Sequence, residues 1–366
     1  GGAEANPQDD FSNSVLGKLI WHAGPHDTVK LTGEYLDKTL DTDGLTDLSV
    51  IPGFGGGPSV ATLDSRYRDT TSRYRVSVDY VHDTPLGFVD RLEVKGFYTN
   101  LDRTELNRQL VSIYFAPPAT PNTILNEDFS FTQNIYGGEV QLASRFDTFG
   151  AAHLVTYGVS ATETATSHPR EGSLTDIASG AVSNDVYGEI FPDKNFPDTD
   201  TTKVGVYVQD EIALGPFGVV PGLRFDYVHL DPHPDAAYDN ANAAVPVHAL
   251  TETPLSPKLG LTYKLTDAYT LFAGYARGFR APPYDNANFG FKNPLYGYEI
   301  LPSPNLKSET SDGVEAGIRG QFRDGSSFAV SAFYNHYDNF IDATLAGFSP
   351  EGLLEFQYVN LTNVEI

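Results

Sequence analysis

Cysteine and methionine are both absent from the 366 residues, and tryptophan occurs once. Without thiols there can be no disulfide framework, no thiolate metal site and no cysteine nucleophile. Long hydrophobic runs are missing too. Mean hydropathy is −0.27, and no apolar stretch approaches the ~18 residues of a membrane helix. That excludes a helical membrane protein but not a barrel, in which only alternate residues meet lipid. Positive charge is scarce: 24 Lys and Arg face 48 Asp and Glu, and a net charge of −24 repels nucleic acid. The acidic excess is read as solubilising exposed loops. Gly1 to Asp10 contain neither a basic nor an apolar signal region, so the expectation is a removed signal or an internal piece of a longer chain.

Aromatic residues and glycine are abundant instead: 21 Tyr, 23 Phe and 34 Gly. They suit long strands with aromatic girdles better than helices. The patterning has a period of two. Val204, Val206, Val208 and Ile212 fall on one face, with Lys203, Tyr207, Gln209 and Glu211 on the other. Tyr74, Val76, Val78 and Tyr80 alternate with Arg73, Arg75, Ser77 and Asp79 in the same way. So do Leu259, Leu261, Tyr263 and Leu265 with Lys258, Gly260, Thr262 and Lys264.

Connections alternate between two kinds. Short turns are expected near 24–27, 83–88, 147–150, 214–218, 265–268 and 323–326. Long irregular segments are expected near 38–64, 102–127, 167–202, 231–254, 280–307 and 341–354. Short turns at one end and long loops at the other mark an outer-membrane barrel, turns in the periplasm and loops outside. The predicted fold is all-β: an antiparallel transmembrane β-barrel of about 13 strands, six hairpins plus an unfinished strand at Glu355–Asn363. Tyr35, Tyr80, Tyr98, Tyr227 and Tyr334 are expected in the interfacial belts.

Several segments carry a resemblance. Gly205–Ile212, Val220–Tyr227 and Ser256–Phe272 resemble the barrel of TonB-dependent receptors. Gly278-Phe279-Arg280-Ala281-Pro282 resembles that family's FRAP box. Pro302-Ser303-Pro304-Asn305-Leu306-Lys307 resembles its NPNL box, and Val330–Asn335 and Val359–Asn363 continue the likeness. The resemblance implies active uptake across the bacterial outer membrane, through a barrel of about 22 strands plugged by an N-terminal domain and energised by TonB. Measured against that pattern, residues 1–366 read as a partial barrel lacking the plug and the C-terminal strands. The family's ligand-binding residues carry over onto Phe279, Arg280, Ala281, Pro282, Pro304, Asn305 and Leu306.

The wording around the two boxes resembles the haem and haemoprotein branch, with haem as the transported ligand and no resident cofactor. That branch carries a histidine between the boxes. Here the interval 283–301 contains none. Tyr284, Tyr296 and Tyr298 can offer a phenolate to ferric haem, or serve as loop-packing aromatics. His22, His26, His82 and His153 fall near periplasmic turns, while His168, His233 and His248 fall in outer loops and His229 and His336 on strands rising toward them. His233 and His248 are the imidazole candidates, against a reading as solvated loop histidines. The acidic stretches Pro192–Asp200 and Asp231–Asp239 either hold Ca²⁺ or form solvated turns, and neither has EF-hand spacing.

The alternative ligand is a ferric siderophore, an anionic chelate for which Arg280 and Lys292 are available. An outer-membrane enzyme or a structural barrel is the alternative of another class. No HExxH, GxSxG or P-loop supports an enzyme, and Gly53–Gly57 is a loop tip with no helix behind it to cradle phosphate. The partners expected are the TonB complex, the iron-bearing ligand and membrane lipid.

Overall fold

The computed structural model describes residues 5–53, 57–242, 247–303, 305–361 and 364–365. Most of the Gly53–Gly57 tip therefore lies outside the described residues, as do Pro304 of the NPNL-like box and Thr362 and Asn363.

Twelve long strands form one antiparallel meander. They are β1 (Gln8–His22), β2 (Asp27–Asp43), β3 (Ser59–His82), β4 (Arg91–Tyr114), β5 (Thr123–Thr148) and β6 (Ala151–Ser167). The series continues with β7 (Asp198–Leu214), β8 (Phe217–His233), β9 (Leu255–Lys264), β10 (Tyr269–Arg280), β11 (Glu309–Gln321) and β12 (Ser327–Asp338). Each pairs with its sequence neighbours, and among the described residues no pairing joins β1 to β12. A meander of this kind satisfies its backbone donors and acceptors across strands, as hydrocarbon requires.

The six short turns fall where expected. Thr148 and Ala151 flank a two-residue turn in which Phe149 and Gly150 both have positive φ, 52° and 79°, the primed geometry that follows strand twist. Gly215, at φ 56°, supplies the left-handed residue of the β7–β8 turn ahead of Pro216.

Alternation sorts the two faces. Val76, Val78, Val206, Val208, Leu259 and Leu261 are exposed on the outer surface, where lipid and not protein covers them. Lumen-facing neighbours are polar and paired: Lys30 meets Asp79 at 3.2 Å and Arg73 meets Glu34 at 3.4 Å. Tyr35 and Tyr334 are exposed on β2 and β12, and Tyr74 packs against Tyr98 with ring centroids 5.7 Å apart.

The outer half departs from the sequence reading. Much of what reads as loop is strand: β3 and β4 each run 24 residues and β5 runs 26, more than twice the 9–11 that cross a bilayer. Charged residues there form cross-strand pairs, Arg68 with Asp41 at 2.7 Å and Arg103 with Asp69 at 3.3 Å, which keep the ladder in register beyond the membrane.

The end of the chain differs as well. Residues 341–354, expected as loop, contribute to a hairpin of β13 (Phe340–Phe348) and β14 (Leu354–Leu361). The strand expected at Glu355–Asn363 thus belongs to this hairpin, and the short segment Val364–Glu365 is what pairs with β12. Period-two sequence alone cannot tell a barrel strand from a hairpin standing above the rim.

Candidate functional site

The FRAP-like segment ends β10 and turns into the connection to β11. A short helix, Tyr284–Ala287, follows, and then a small hairpin of Phe291–Asn293 and Tyr298–Leu301 whose second strand runs parallel to β14. Phe279, Arg280, Ala281, Pro282 and Tyr284 wall one side of a lumen cavity of about 680 Å³. Across from them stand the inward residues of β5 to β8, among them Gln133, Thr162, Lys203 and Arg224. Arg224 is held by Asp226 at 2.7 Å and Arg280 by Glu309 at 3.1 Å. Glu309 also accepts the Ile341 backbone N–H at 2.7 Å, which ties the FRAP-like segment to β13. Lys203 makes no ion pair among the described residues, so the cavity keeps one uncompensated cation on its wall.

The NPNL-like box acts as a clasp. Leu306 is buried and Asn305 exposed. The Ser303 N–H donates to the Ala287 carbonyl at 2.7 Å. Asn360 Oδ1 accepts from the Lys307 N–H at 2.8 Å, and its Nδ2 donates to the Lys307 and Asn339 carbonyls at 2.9 and 2.8 Å. The segment around Val359 thus holds the box in place through one amide side chain.

The five candidate iron ligands are not brought together. Tyr284 lines the lumen cavity and touches Phe196, with centroids 5.0 Å apart; burial pushes its phenol up to about 12. Tyr296 is 66% exposed and borders a different cavity of about 320 Å³, shared with Asp47, Tyr67 and Tyr187. Tyr298 packs between Phe291 and Phe356. His233 Nε2 pairs with Asp200 at 3.1 Å, and His229 Nδ1 meets Thr251 at 2.8 Å. Asp200 and His229 alternate with the cavity-lining Thr201, Val228 and Leu230, so this side of the sheet faces away from the lumen. His248 is exposed in the β8–β9 connection.

Two features escape the sequence reading. The first centres on Arg170, whose guanidinium is buried. Its Nη1 donates to Glu189 at 2.6 Å, to Asn195 at 2.8 Å and to Asp193 at 3.0 Å. Its charge lies 4.3 Å from the Phe129 ring centre and 5.4 Å from those of Phe191 and Phe291. One residue thereby joins β5, the β6–β7 connection and the loop after the FRAP-like box. Burial pushes the Asp193 carboxyl up to about 8, with Glu189 and Glu127 adding to the rise and Arg170 opposing it. Within the acidic stretch Pro192–Asp200, Asp193 is buried and answers Arg170, while the more exposed Asp198 answers Lys194 at 2.9 Å. Lys194 also binds Asp235 at 2.8 Å. Gly290 matters to this assembly, because a Cβ there would run into the Asn242 side chain, which itself bonds the Lys194 carbonyl.

The second feature is His168, just past β6, stacked on Phe196 at 5.4 Å and edge-on to Phe131 at 6.2 Å. Burial, reinforced by the charges of Arg170 and Arg103, holds its imidazole down at about 4, so it is neutral at physiological pH. A histidine next to Pro169 and Arg170 gives no periodic signal, and only the fold shows what surrounds it.

Comparison with known proteins agrees with this architecture. The chain is 32% identical over 154 residues to hemoglobin and hemoglobin-haptoglobin-binding protein B of Haemophilus influenzae, a match covering 37% of this chain and 14% of that protein. It is 29% identical over 242 residues to the hemin receptor of Yersinia enterocolitica, covering 60% of this chain and 30% of the receptor. The chain thus matches under a third of either relative's length. Pseudomonas aeruginosa FpvA, solved bound to heterologous pyoverdines, superimposes with a TM-score of 0.58 at 15% identity, over 96% of this chain and 45% of FpvA. The family model for the TonB dependent receptor-like β-barrel matches residues 20–366. With an antiparallel meander, short turns at one end and the FRAP-like segment at the lumen wall, the chain belongs to the TonB-dependent receptor β-barrel family of the bacterial outer membrane.

Proposed function

We propose that the receptor containing this chain imports haem, free or taken from a haemoprotein, across the outer membrane, with energy delivered by the TonB complex. The observation that carries this reading is the lumen cavity walled by the FRAP-like segment and Tyr284, in a chain whose matched relatives include proteins named for hemin and hemoglobin alongside a ferric enterobactin receptor. A haem offers a flat apolar face, two carboxylates and an iron centre. The cavity wall supplies aromatic rings from Phe279 and Tyr284, and Lys203, which makes no ion pair among the described residues, can meet a carboxylate. Haem is cargo here and not a resident cofactor, and the work is transport and not catalysis. For the ferric-siderophore alternative, Arg280 pairs with Glu309 and Lys292 with Glu351 at 2.6 Å, and both would exchange these partners for an anionic chelate. The test is titration of the full-length receptor with haemin, where a Soret shift reporting iron ligation is expected. No shift, alongside nanomolar binding of a ferric siderophore, overturns the reading.

A further inference from the structure

The cavity of about 320 Å³ bordered by Tyr296 has a chemistry opposite to that of the lumen cavity. Its lining holds Asp47, Glu127 and Glu189, and no Lys, Arg or His. Three tyrosines, Tyr67, Tyr187 and Tyr296, share the wall with these carboxylates. Val60, Leu125 and Val186, all buried, add apolar surface.

The chain departs from regular geometry at two points to build this wall. β3 carries a bulge between Thr62 and Asp64, which adds one residue and reverses the alternation. Thr62 before the bulge and Tyr67 beyond it therefore line one cavity, although an unbroken strand would turn them to opposite faces. The other point is Tyr187, in the two-residue turn between Val186 and Glu189, at φ 55° with Gly188 at 96°. Asn, Asp or Gly takes that conformation at least cost, but only a larger residue reaches the cavity wall as Tyr187 does. Its hydroxyl is buried and makes no hydrogen bond among the described residues.

The carboxylates are set for a cation. Asp47 Oδ2 accepts from the Tyr67 hydroxyl at 2.6 Å and from the Ser65 hydroxyl at 2.9 Å, which orients the group without neutralising it. Glu127 accepts from Asn107 Nδ2 at 2.8 Å. Neither makes an ion pair among the described residues, whereas Glu189 meets Arg170 at 2.6 Å. Burial raises the Glu127 carboxyl above its ordinary value, against the pull of Asn107 and Arg170, and a cation in the cavity would lower it again. Among the described residues no three acids are gathered as a metal ion needs. The volume instead lies at the lower end of the range for small-molecule pockets.

We propose that this cavity binds a small organic ammonium ion, its charge held by Asp47 and Glu127 and its stem by the tyrosine rings and buried aliphatic side chains. Tyrosine faces add cation–π attraction to the ion pairing. The site is distinct from that of the cargo, because the lumen cavity presents Lys203, Arg224 and Arg280. The inference holds whether or not that cargo is haem.

The test titrates the full-length receptor in detergent with butylammonium, alongside butanol and butyrate, which resemble it in size and differ in charge. Saturable binding is expected for butylammonium alone, with slower hydrogen exchange at residues 186–189 and 293–296. Glu127→Gln keeps the size and an acceptor for Asn107, and should weaken butylammonium about tenfold or more. Tyr296→Ala alters a ring that is 66% exposed, so it should fold as wild type and weaken binding several-fold. Thermal unfolding that matches wild type in both variants assigns the loss to the site. No saturable binding of butylammonium, or equal binding of butanol or butyrate, overturns the proposal. Unchanged affinity in both variants overturns it too, since the ammonium would then be held elsewhere.

Discussion

The two halves of the sheet are held by different solvents. In the membrane half, the exposed outer valines and leucines of β3, β7 and β9 are covered by lipid, and the lumen residues are polar and paired. In the outer half the protein builds its own interior. Phe191, Phe196, Tyr238, Ala287 and Leu306 are buried there, together with Arg170, Asp193 and Lys194. The membrane half therefore depends on which face a residue points to. The outer half depends on which loop a residue can reach.

The sharpest way to separate the halves is Arg170→Ala. It leaves the Glu189 carboxylate without its cation and the Asp193 and Asn195 oxygens without their donor, at a cost of about 3–5 kcal/mol for breaking a buried pair from one side. Hydrogen exchange of residues 170–198 should rise steeply while the membrane strands keep their protection. Loss of protection throughout β3 to β8 would show that the halves fold as one unit.

The converse experiment places a charge in lipid. Val208→Arg should destabilise the barrel by about 2–4 kcal/mol, the cost of arginine near the bilayer midplane. Gln209→Arg, one residue along and on the strand face shared with the cavity-lining Lys203 and Gly205, should cost well under half as much. Urea unfolding from phospholipid vesicles measures both, and equal effects would mean that the faces are misassigned.

How much of this was legible follows from the same contrast. A period of two needs no partner to be read, so Val204 to Ile212 revealed a face and Gly215 revealed a turn. Arg170 has no period. Its partners Glu189, Asp193 and Phe291 lie up to about a third of the chain away and meet it only because three connections fold onto one wall. The acidic run at Pro192–Asp200 looked solvated for want of the cations that answer it. The boxes themselves were visible, but the reason for one of them, the Asn360 clasp, lies some fifty residues downstream.

That clasp supplies the next test. Asn360→Ala removes three hydrogen bonds and leaves the Lys307 N–H and two carbonyls to find others, an expected loss of about 1–3 kcal/mol confined to residues 303–309 and 339–361. Hydrogen exchange should show it there and not around Arg170. A spread to residues 170–198 would mean that the outer loops form one cooperative block.

A pH profile distinguishes the halves more gently. The Asp193 carboxyl, raised to about 8 by burial beside Glu189 and Glu127, binds its proton more tightly folded than unfolded. Its contribution is complete below the ordinary carboxylate value near 4 and is lost as pH rises through about 8. Opening of residues 184–198 should therefore grow more frequent between pH 5 and about 9, with the membrane strands unchanged. Asp193→Asn should flatten the profile; a profile unchanged in that variant would assign the titration to another group.

The smallest effect is expected at Lys292, whose ammonium meets Glu351 on the surface, with the Glu351 side chain 66% exposed. An exposed pair contributes about 0–1 kcal/mol, so Lys292→Ala should leave both stability and haemin affinity within error. Its value lies in the contrast with Lys203, which has no such partner and faces the cavity. If cations in the outer half act through the loop they join, Lys203→Ala should weaken haemin binding several-fold and Lys292→Ala should not. If Lys292→Ala instead abolishes capture of an anionic ferric chelate, the loop cations are acting on a ligand from outside. The siderophore reading then gains the observation it lacks.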